Sequence, residues 1–141
     1  MESGADTPSP VEVRDRIREE HRQLSARLAR VEALSQHARG GDAATFRTLR
    51  EELQSLGTAL DDHLHYEEYR LPALATGGET TEHVHAAMRK EHEAQRELLK
   101  RVIQDLDETA VGQELLVGVL ELTHAIRDDM ALEEEEILSK I

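Results

Sequence analysis

Apolar residues recur along this chain at alternating spacings of three and four, which is the spacing of a helix that buries one face. Four segments carry this pattern, and breaks rich in glycine, threonine and proline separate them. No segment shows the strict alternation that is typical of a half-buried strand. The chain is therefore predicted to be all-α.

Helix signals stand at the ends of the segments. Ser9, Pro10 and Glu12 form a capping pattern for the first helix, which is predicted to end near His37, before Gly40-Gly41. These signals place the first break close to residue 40.

The other breaks carry similar signals. The second helix is predicted over about 42–71, with Asp42 as its cap and Pro72 as its stop. Thr80 can cap the third helix, which fades at LDETAVG, and the fourth is predicted over about 110–139.

Short breaks require neighbouring helices to run antiparallel. The predicted fold is an all-α, up-down-up-down antiparallel four-helix bundle over residues 10–141. Residues 1–9 are small, polar and proline-containing, and we expect a disordered N-terminal segment there.

Polar residues interrupt the predicted buried stripe of every helix. In the acidic run DDMALEEEEIL, the helical period turns Asp129 and Glu133 inward, whereas Glu135 faces solvent. The other inward ionisable residues are His21 on the first helix, His63 and Glu67 on the second, and His85 and His92 on the third; Gln95 shares the stripe of the third helix. In an antiparallel bundle all these positions fall at one end, so we expect them to lie close together.

Imidazoles and carboxylates gathered inside a bundle are typical donors of a metal site. Buried carboxylates are costly unless hydrogen bonds or a cation compensate them, and a metal ion supplies that charge. The alternative is a metal-free polar network, because one inward histidine or one His/Glu pair at i, i+4 is often an ordinary contact. The contribution of all four helices at one level favours metal binding.

The composition of the chain limits the classes of partner and the kinds of ligand that we expect. The 141-residue chain has a net charge of −13, which disfavours nucleic acid and anionic membranes as partners. It has no cysteine, so neither a disulfide nor a thiolate ligand is available. The N-terminus does not read as a secretory signal, and we expect a cytoplasmic location.

Four segments resemble the hemerythrin-like (HHE cation-binding) domain family, and together they cover nearly the whole chain after residue 10. The segments are IREEHRQL, HLHYEEYRLPAL, MRKEHEAQRELL and DMALEEEEIL. The resemblance implies a non-heme di-iron centre, with manganese as a second candidate metal. The ligands that it implies are His21, His63, Glu67, His92, Asp129 and Glu133.

The chain departs from the family pattern at Pro72, which comes about one residue early, and at two positions that concern the ligands. Asp129 stands where the family usually has histidine, and Met88 stands where the oxygen carriers have a further histidine. His85, on the same stripe as His92, is a weaker candidate for an additional ligand. His124 precedes Asp129 by five residues, but the helical period turns it away from the stripe.

Replacing imidazole by carboxylate adds negative charge at the metal and favours ferric iron. The expected protein is therefore a poor reversible oxygen carrier that acts in oxygen, redox or nitric oxide sensing, peroxide handling or iron buffering. Its expected ligand is a small diatomic molecule or peroxide; the sequence names no protein partner and does not decide whether the protein is an enzyme.

Two other functions stay open. One is a mini-ferritin-like carboxylate di-iron oxidase, because Glu82/His85 and Glu121/His124 have the Glu-x-x-His spacing of that fold. The other is a metal-free helical interaction module.

Overall fold

The computed structural model describes residues 7–38, 43–74, 78–108 and 112–141. Its four α-helices are α1 (Pro10–Ala38), α2 (Ala43–Ala73), α3 (Gly78–Glu108) and α4 (Gly112–Glu136). A short 3-10 turn, Leu138–Lys140, follows α4. The predicted break at Gly40-Gly41 and the predicted cap Asp42 lie outside the described residues.

Each helix packs against two neighbours and closes a bundle. α1 contacts α2 and α4, and α3 contacts the same two helices. Glu20, near the start of α1, lies 2.7 Å from His63 in the second half of α2, as antiparallel helices require. No strand occurs within the described ranges, and the predicted all-α four-helix bundle is confirmed. None of the helices seen in these ranges is both long and apolar enough to cross a bilayer.

The start of α1 forms the predicted capping box. The Glu12 backbone N–H donates to Ser9 Oγ at 3.1 Å, and the Ser9 N–H donates to Glu12 Oε1 at 2.7 Å. Two backbone donors that the first turn leaves free are thereby satisfied.

Two other helix ends differ from the prediction by a few residues. Pro72 was predicted to stop α2 near Leu71, but the helix continues to Ala73. Proline lacks a backbone donor and disfavours continuation of a helix, and α2 ends one residue after Pro72. α3 begins at Gly78, so Thr80 lies in its first turn instead of capping it.

The last helix is also shorter than predicted. α4 ends at Glu136 instead of near residue 139, and the chain tightens into the 3-10 turn that buries Leu138. Such tightening is common at helix ends, where carbonyl groups lack α-helical partners.

Aliphatic side chains fill the bundle in two clusters with a polar layer between them. The larger cluster includes Leu28, Leu53, Val102 and Leu122. Val13, Ile17, Leu71, Met88 and Leu138 form the smaller one, which we call the apolar plug. Burying one leucine contributes about 1.5–3 kcal/mol, so the larger cluster can offset the cost of the polar layer.

Candidate metal centre

Six polar side chains from all four helices meet in the layer between the apolar plug and the larger cluster. They are His21, His63, Glu67, His92, Asp129 and Glu133, and none exposes more than 7% of its surface. A spacing of four residues puts His63 and Glu67 on one face of α2 and Asp129 and Glu133 on one face of α4. The convergence that the sequence predicted is therefore present.

The six side chains form two overlapping groups whose donor atoms lie within 4.8 Å of one another. The first group is His21, His63, Glu67 and Glu133, and the second is His92, Asp129 and Glu133. Glu133 belongs to both: its Oε1 lies 3.1 Å from His21 Nε2, and its Oε2 lies 3.0 Å from His92 Nε2. This carboxylate is therefore shared by the two groups of potential metal ligands.

Glu67 lies at the junction of three imidazoles. Its Oε2 is 3.3 Å from His21 Nε2 and 2.9 Å from His63 Nε2, and its Oε1 is 3.2 Å from His92 Nε2. Despite these distances, His63 Nε2 and Glu67 Oε1 make no hydrogen bond of acceptable geometry. Buried polar atoms are rarely left unsatisfied, and a cation between these two atoms would satisfy both. The donor set therefore fits a metal ion.

The surrounding carboxylates favour protonated imidazoles. Burial would lower the pKa of each ring, but the neighbouring carboxylates outweigh burial. They raise the pKa of His21 to about 10, that of His63 to about 9 and that of His92 to about 12. A metal ion that binds here must displace these protons.

The two central carboxylates have opposite pKa shifts. Burial would raise the pKa of Glu67, but contacts with the three imidazoles hold it well below its usual value. Burial, followed by the charge of Glu67, raises the pKa of Glu133. A divalent cation between the two would allow both to ionise.

Each imidazole is held from outside by a carboxylate on a neighbouring helix. His63 Nδ1 lies 2.7 Å from Glu20, His92 Nδ1 lies 2.9 Å from Glu68, and His21 Nδ1 lies 2.9 Å from Glu134. With the proton held at Nδ1, the Nε2 lone pair is free to face a metal ion.

Between α3 and α4, the outer partner of the polar layer is an amide instead of a carboxylate. Gln95 Nε2 on α3 donates to Asp129 Oδ2 on α4 at 2.7 Å. A carboxylate ligand needs a donor where an imidazole needs an acceptor, so the amide matches aspartate at position 129. We call Glu20, Glu68, Gln95 and Glu134 the outer ring.

Arginines hold the three acids of the outer ring. The pairs are Arg16–Glu20 at 3.0 Å, Arg18–Glu134 at 2.9 Å and Arg96–Glu68 at 3.1 and 3.2 Å. These charge-assisted hydrogen bonds fix the acids toward the imidazoles and offset their charge.

Glu20→Gln tests the outer ring. One Glu20 oxygen accepts from His63 and the other from Arg16, and a neutral amide with a single acceptor oxygen cannot serve both. Loss of such an outer partner typically weakens metal binding about 10–100-fold. Competition with a coloured chelator measures the affinity. Glu19→Gln is the matched control, because Glu19 is exposed and accepts hydrogen bonds from Arg22 and Gln23 on its own helix. Equal affinities for the two variants would exclude the positioning role.

The two weaker ligand candidates, His85 and His124, belong to neither group of donors. His85 is buried, and burial followed by the charge of Arg89 lowers its pKa. His124 is exposed, on the side to which the helical period turns it. Met88 belongs to the apolar plug, where it packs without taking the place of a ligand.

The pairs with ferritin-like spacing are also separate from the polar layer. Glu82 and Glu121 are exposed, and neither they nor His85 and His124 belong to the two groups. The carboxylate-oxidase alternative therefore lacks its ligand pairs in the described part of the chain.

The comparison with known protein families agrees with a cation-binding site in the polar layer. The family model of the hemerythrin HHE cation binding domain matches residues 12–141. The chain therefore belongs to the hemerythrin HHE cation-binding domain family, and the resemblance read from its sequence is confirmed. No match was found among curated proteins or among solved structures.

Sequence reasoning missed the acids of the outer ring. A signal was present, because Glu20, Glu68 and Glu134 each adjoin a member of the polar layer in the sequence. Adjacent residues on a helix point about 100° apart, so a neighbour of an inward ligand faces the next helix. The helical period puts Glu134 on the flank of α4, beside the inward Glu133, but its partner, His21, could be identified only in three dimensions.

Proposed function

We propose that the polar layer holds a non-heme di-iron centre, with manganese as the alternative metal. Glu133 carries the proposal, because it is shared by two groups of buried donors. Imidazole and carboxylate donors without thiolate suit iron and manganese.

The chain's own residues would divide as follows. His21, His63 and Glu67 would hold one ion, and His92 and Asp129 would hold the other, with Glu133 between the two. The outer ring would keep each Nδ1 proton in place, and the apolar plug would limit water on one side. Bound iron supplies one-electron redox chemistry and a coordination position for a small ligand.

We infer a sensing, peroxide-handling or iron-buffering function in place of reversible oxygen carriage. The polar layer has three carboxylates beside its three imidazoles, because Asp129 occupies the position of a further histidine. Additional negative charge stabilises ferric iron, whereas oxygen carriage requires the ferrous form to survive each cycle. The proposed stimulus is oxygen, nitric oxide, peroxide or the iron supply of the cytoplasm.

An oxygenation cycle tests this function. The ferrous protein should turn ferric in air, and its near-ultraviolet and visible charge-transfer absorption should persist after argon replaces the air. Azide should then shift the bands. Loss of the absorption under argon would identify a reversible carrier, and failure to bind iron or manganese would favour the helical interaction module.

Asp129→His is the informative variant in the same experiment. It restores an imidazole and removes one negative charge, so we expect slower oxidation in air than in the wild-type protein. An unchanged rate would show that the charge at position 129 does not set the redox behaviour.

A further inference from the structure

Two openings between described residues reach the polar layer from the surface. One is a cavity of about 230 Å³ between α3 and α4, and Asp129 and Glu133 line it. The other is a groove between α1 and α4, which reaches His21 and Glu134. Because a cation-binding layer lies behind both openings, the charge of their walls decides which one favours a cation.

The α3–α4 cavity has unneutralised acids at its rim. Glu91 and Glu136 line it and are exposed. Within the described part of the chain, neither side chain forms a hydrogen bond or an ion pair. His83, another potential metal ligand, lies beside them. The rim therefore attracts cations, in contrast to the outer ring, whose acids are paired with arginines.

The α1–α4 groove differs from the cavity in the charged groups that line it. Arg18, Arg22 and Arg127 line it, and they are held by Glu134, Glu19 and Glu32 respectively. Because each guanidinium is paired with a carboxylate, the acids of this wall are neutralised and offer an approaching cation no free negative charge. The two openings thus differ in that the cavity rim has unpaired acids, whereas the charges of the groove are paired.

The cavity has room for a hydrated ion. One water molecule needs about 10–15 Å³ of cavity volume. The cavity of about 230 Å³ exceeds this volume many times. Its side walls include Val84, Ala87, Leu132 and Ile137, which offer no metal ligand. A cation would therefore keep its water until it reaches Asp129 and Glu133.

We propose that the α3–α4 cavity is the loading route of the metal centre, along which Glu91, Glu136 and His83 attract a divalent cation toward Asp129 and Glu133. This inference rests on the proposed metal centre and goes beyond it by assigning the path of the ion. If the proposal is correct, loss of the rim charges should change the rate of metal uptake but not the final metal content.

The uptake rate of Co²⁺ by the full chain tests the route, because bound Co²⁺ has visible ligand-field bands. Removal of two rim charges in Glu91→Gln/Glu136→Gln should slow uptake about three- to ten-fold at low ionic strength. The difference should nearly disappear at about 0.5 M salt, where charges are screened over a few ångströms. Final Co²⁺ content should equal that of the wild-type protein.

Glu97→Gln/Glu121→Gln is the matched control. It changes the net charge equally on the same two helices, and both residues are exposed and away from the cavity. The control should load at the wild-type rate. Equal slowing in both pairs, or slowing in neither, would overturn the route.

Obstruction gives a second, independent measurement. Ala87→Phe adds a ring at the cavity wall, and Ala131→Phe adds the same ring at the arginine-lined groove; both alanines are exposed. Uptake should slow several-fold only in Ala87→Phe, and slowing only in Ala131→Phe would assign the route to the other opening. A wild-type chain that takes up no Co²⁺ would overturn the metal centre itself, whereas normal loading at equal rates would overturn the route alone.

Discussion

Glu133→Ala should remove most of the bound metal from the protein. Glu133 is the one residue shared by the two donor groups, with a carboxylate oxygen directed to each. Its loss takes a donor from both ions and leaves Glu67 as the remaining carboxylate between the imidazoles. Metal analysis of the purified variant after reconstitution should fall from two ions per chain to nearly none.

Glu135→Ala is the control for this experiment. Glu135 lies in the same acidic run, but its side chain is exposed and belongs to neither donor group. It should keep two ions per chain. Before metal is added, both variants should be helical by circular dichroism, because neither substitution changes the larger aliphatic cluster. Equal metal loss in the two variants would show that the acidic run binds ions at its surface.

His92→Gln should reduce the metal content from two ions per chain to one. The second donor group has three members, and His92 is its imidazole. The first group keeps its four members in this variant, so its ion should remain. The effect should appear as a halved metal-to-protein ratio, with the surviving ion insensitive to further change at Asp129.

His85→Gln separates this effect from a general disturbance of α3. Both histidines are buried on that helix, but His85 belongs to neither donor group. This variant should keep two ions per chain. A content of one ion in His85→Gln, or of two in His92→Gln, would reassign the imidazole ligand on α3.

The inward stripes could be predicted because helical period alone fixes which residues share a face. Glu133 and Glu135 lie in one uninterrupted acidic run, and the period still separates a buried side chain from a solvated one. The antiparallel order then sets the level of each stripe, which brought His21 together with Glu133 across more than a hundred residues.

The outer ring and the two openings could not be predicted in the same way. Period gives the direction of a side chain relative to its own helix, but the pairing of Glu134 with His21 depends on the rotation and distance of two helices. Two members of the apolar plug, Val13 and Leu138, were missed for a related reason. Val13 and Leu138 lie near the ends of the helical region, where the pattern is too short to define a stripe.

The match between Gln95 and Asp129 shows what the three-dimensional arrangement adds. In the sequence, Asp129 is a departure from the family pattern, and Gln95 is a polar residue on the same buried stripe as His92. Their hydrogen bond of 2.7 Å shows that the outer partner fits the substituted ligand. We therefore interpret aspartate at this position as an integrated part of the layer.

Anomalous diffraction at the iron edge from crystals of the iron-loaded protein tests the metal centre most directly. Two peaks should appear in the polar layer, one beside His21 and His63 and one beside His92 and Asp129, with the Glu133 carboxylate between them. Absence of a peak from that layer, or iron found only at exposed acids such as Glu135, would contradict a buried di-iron centre.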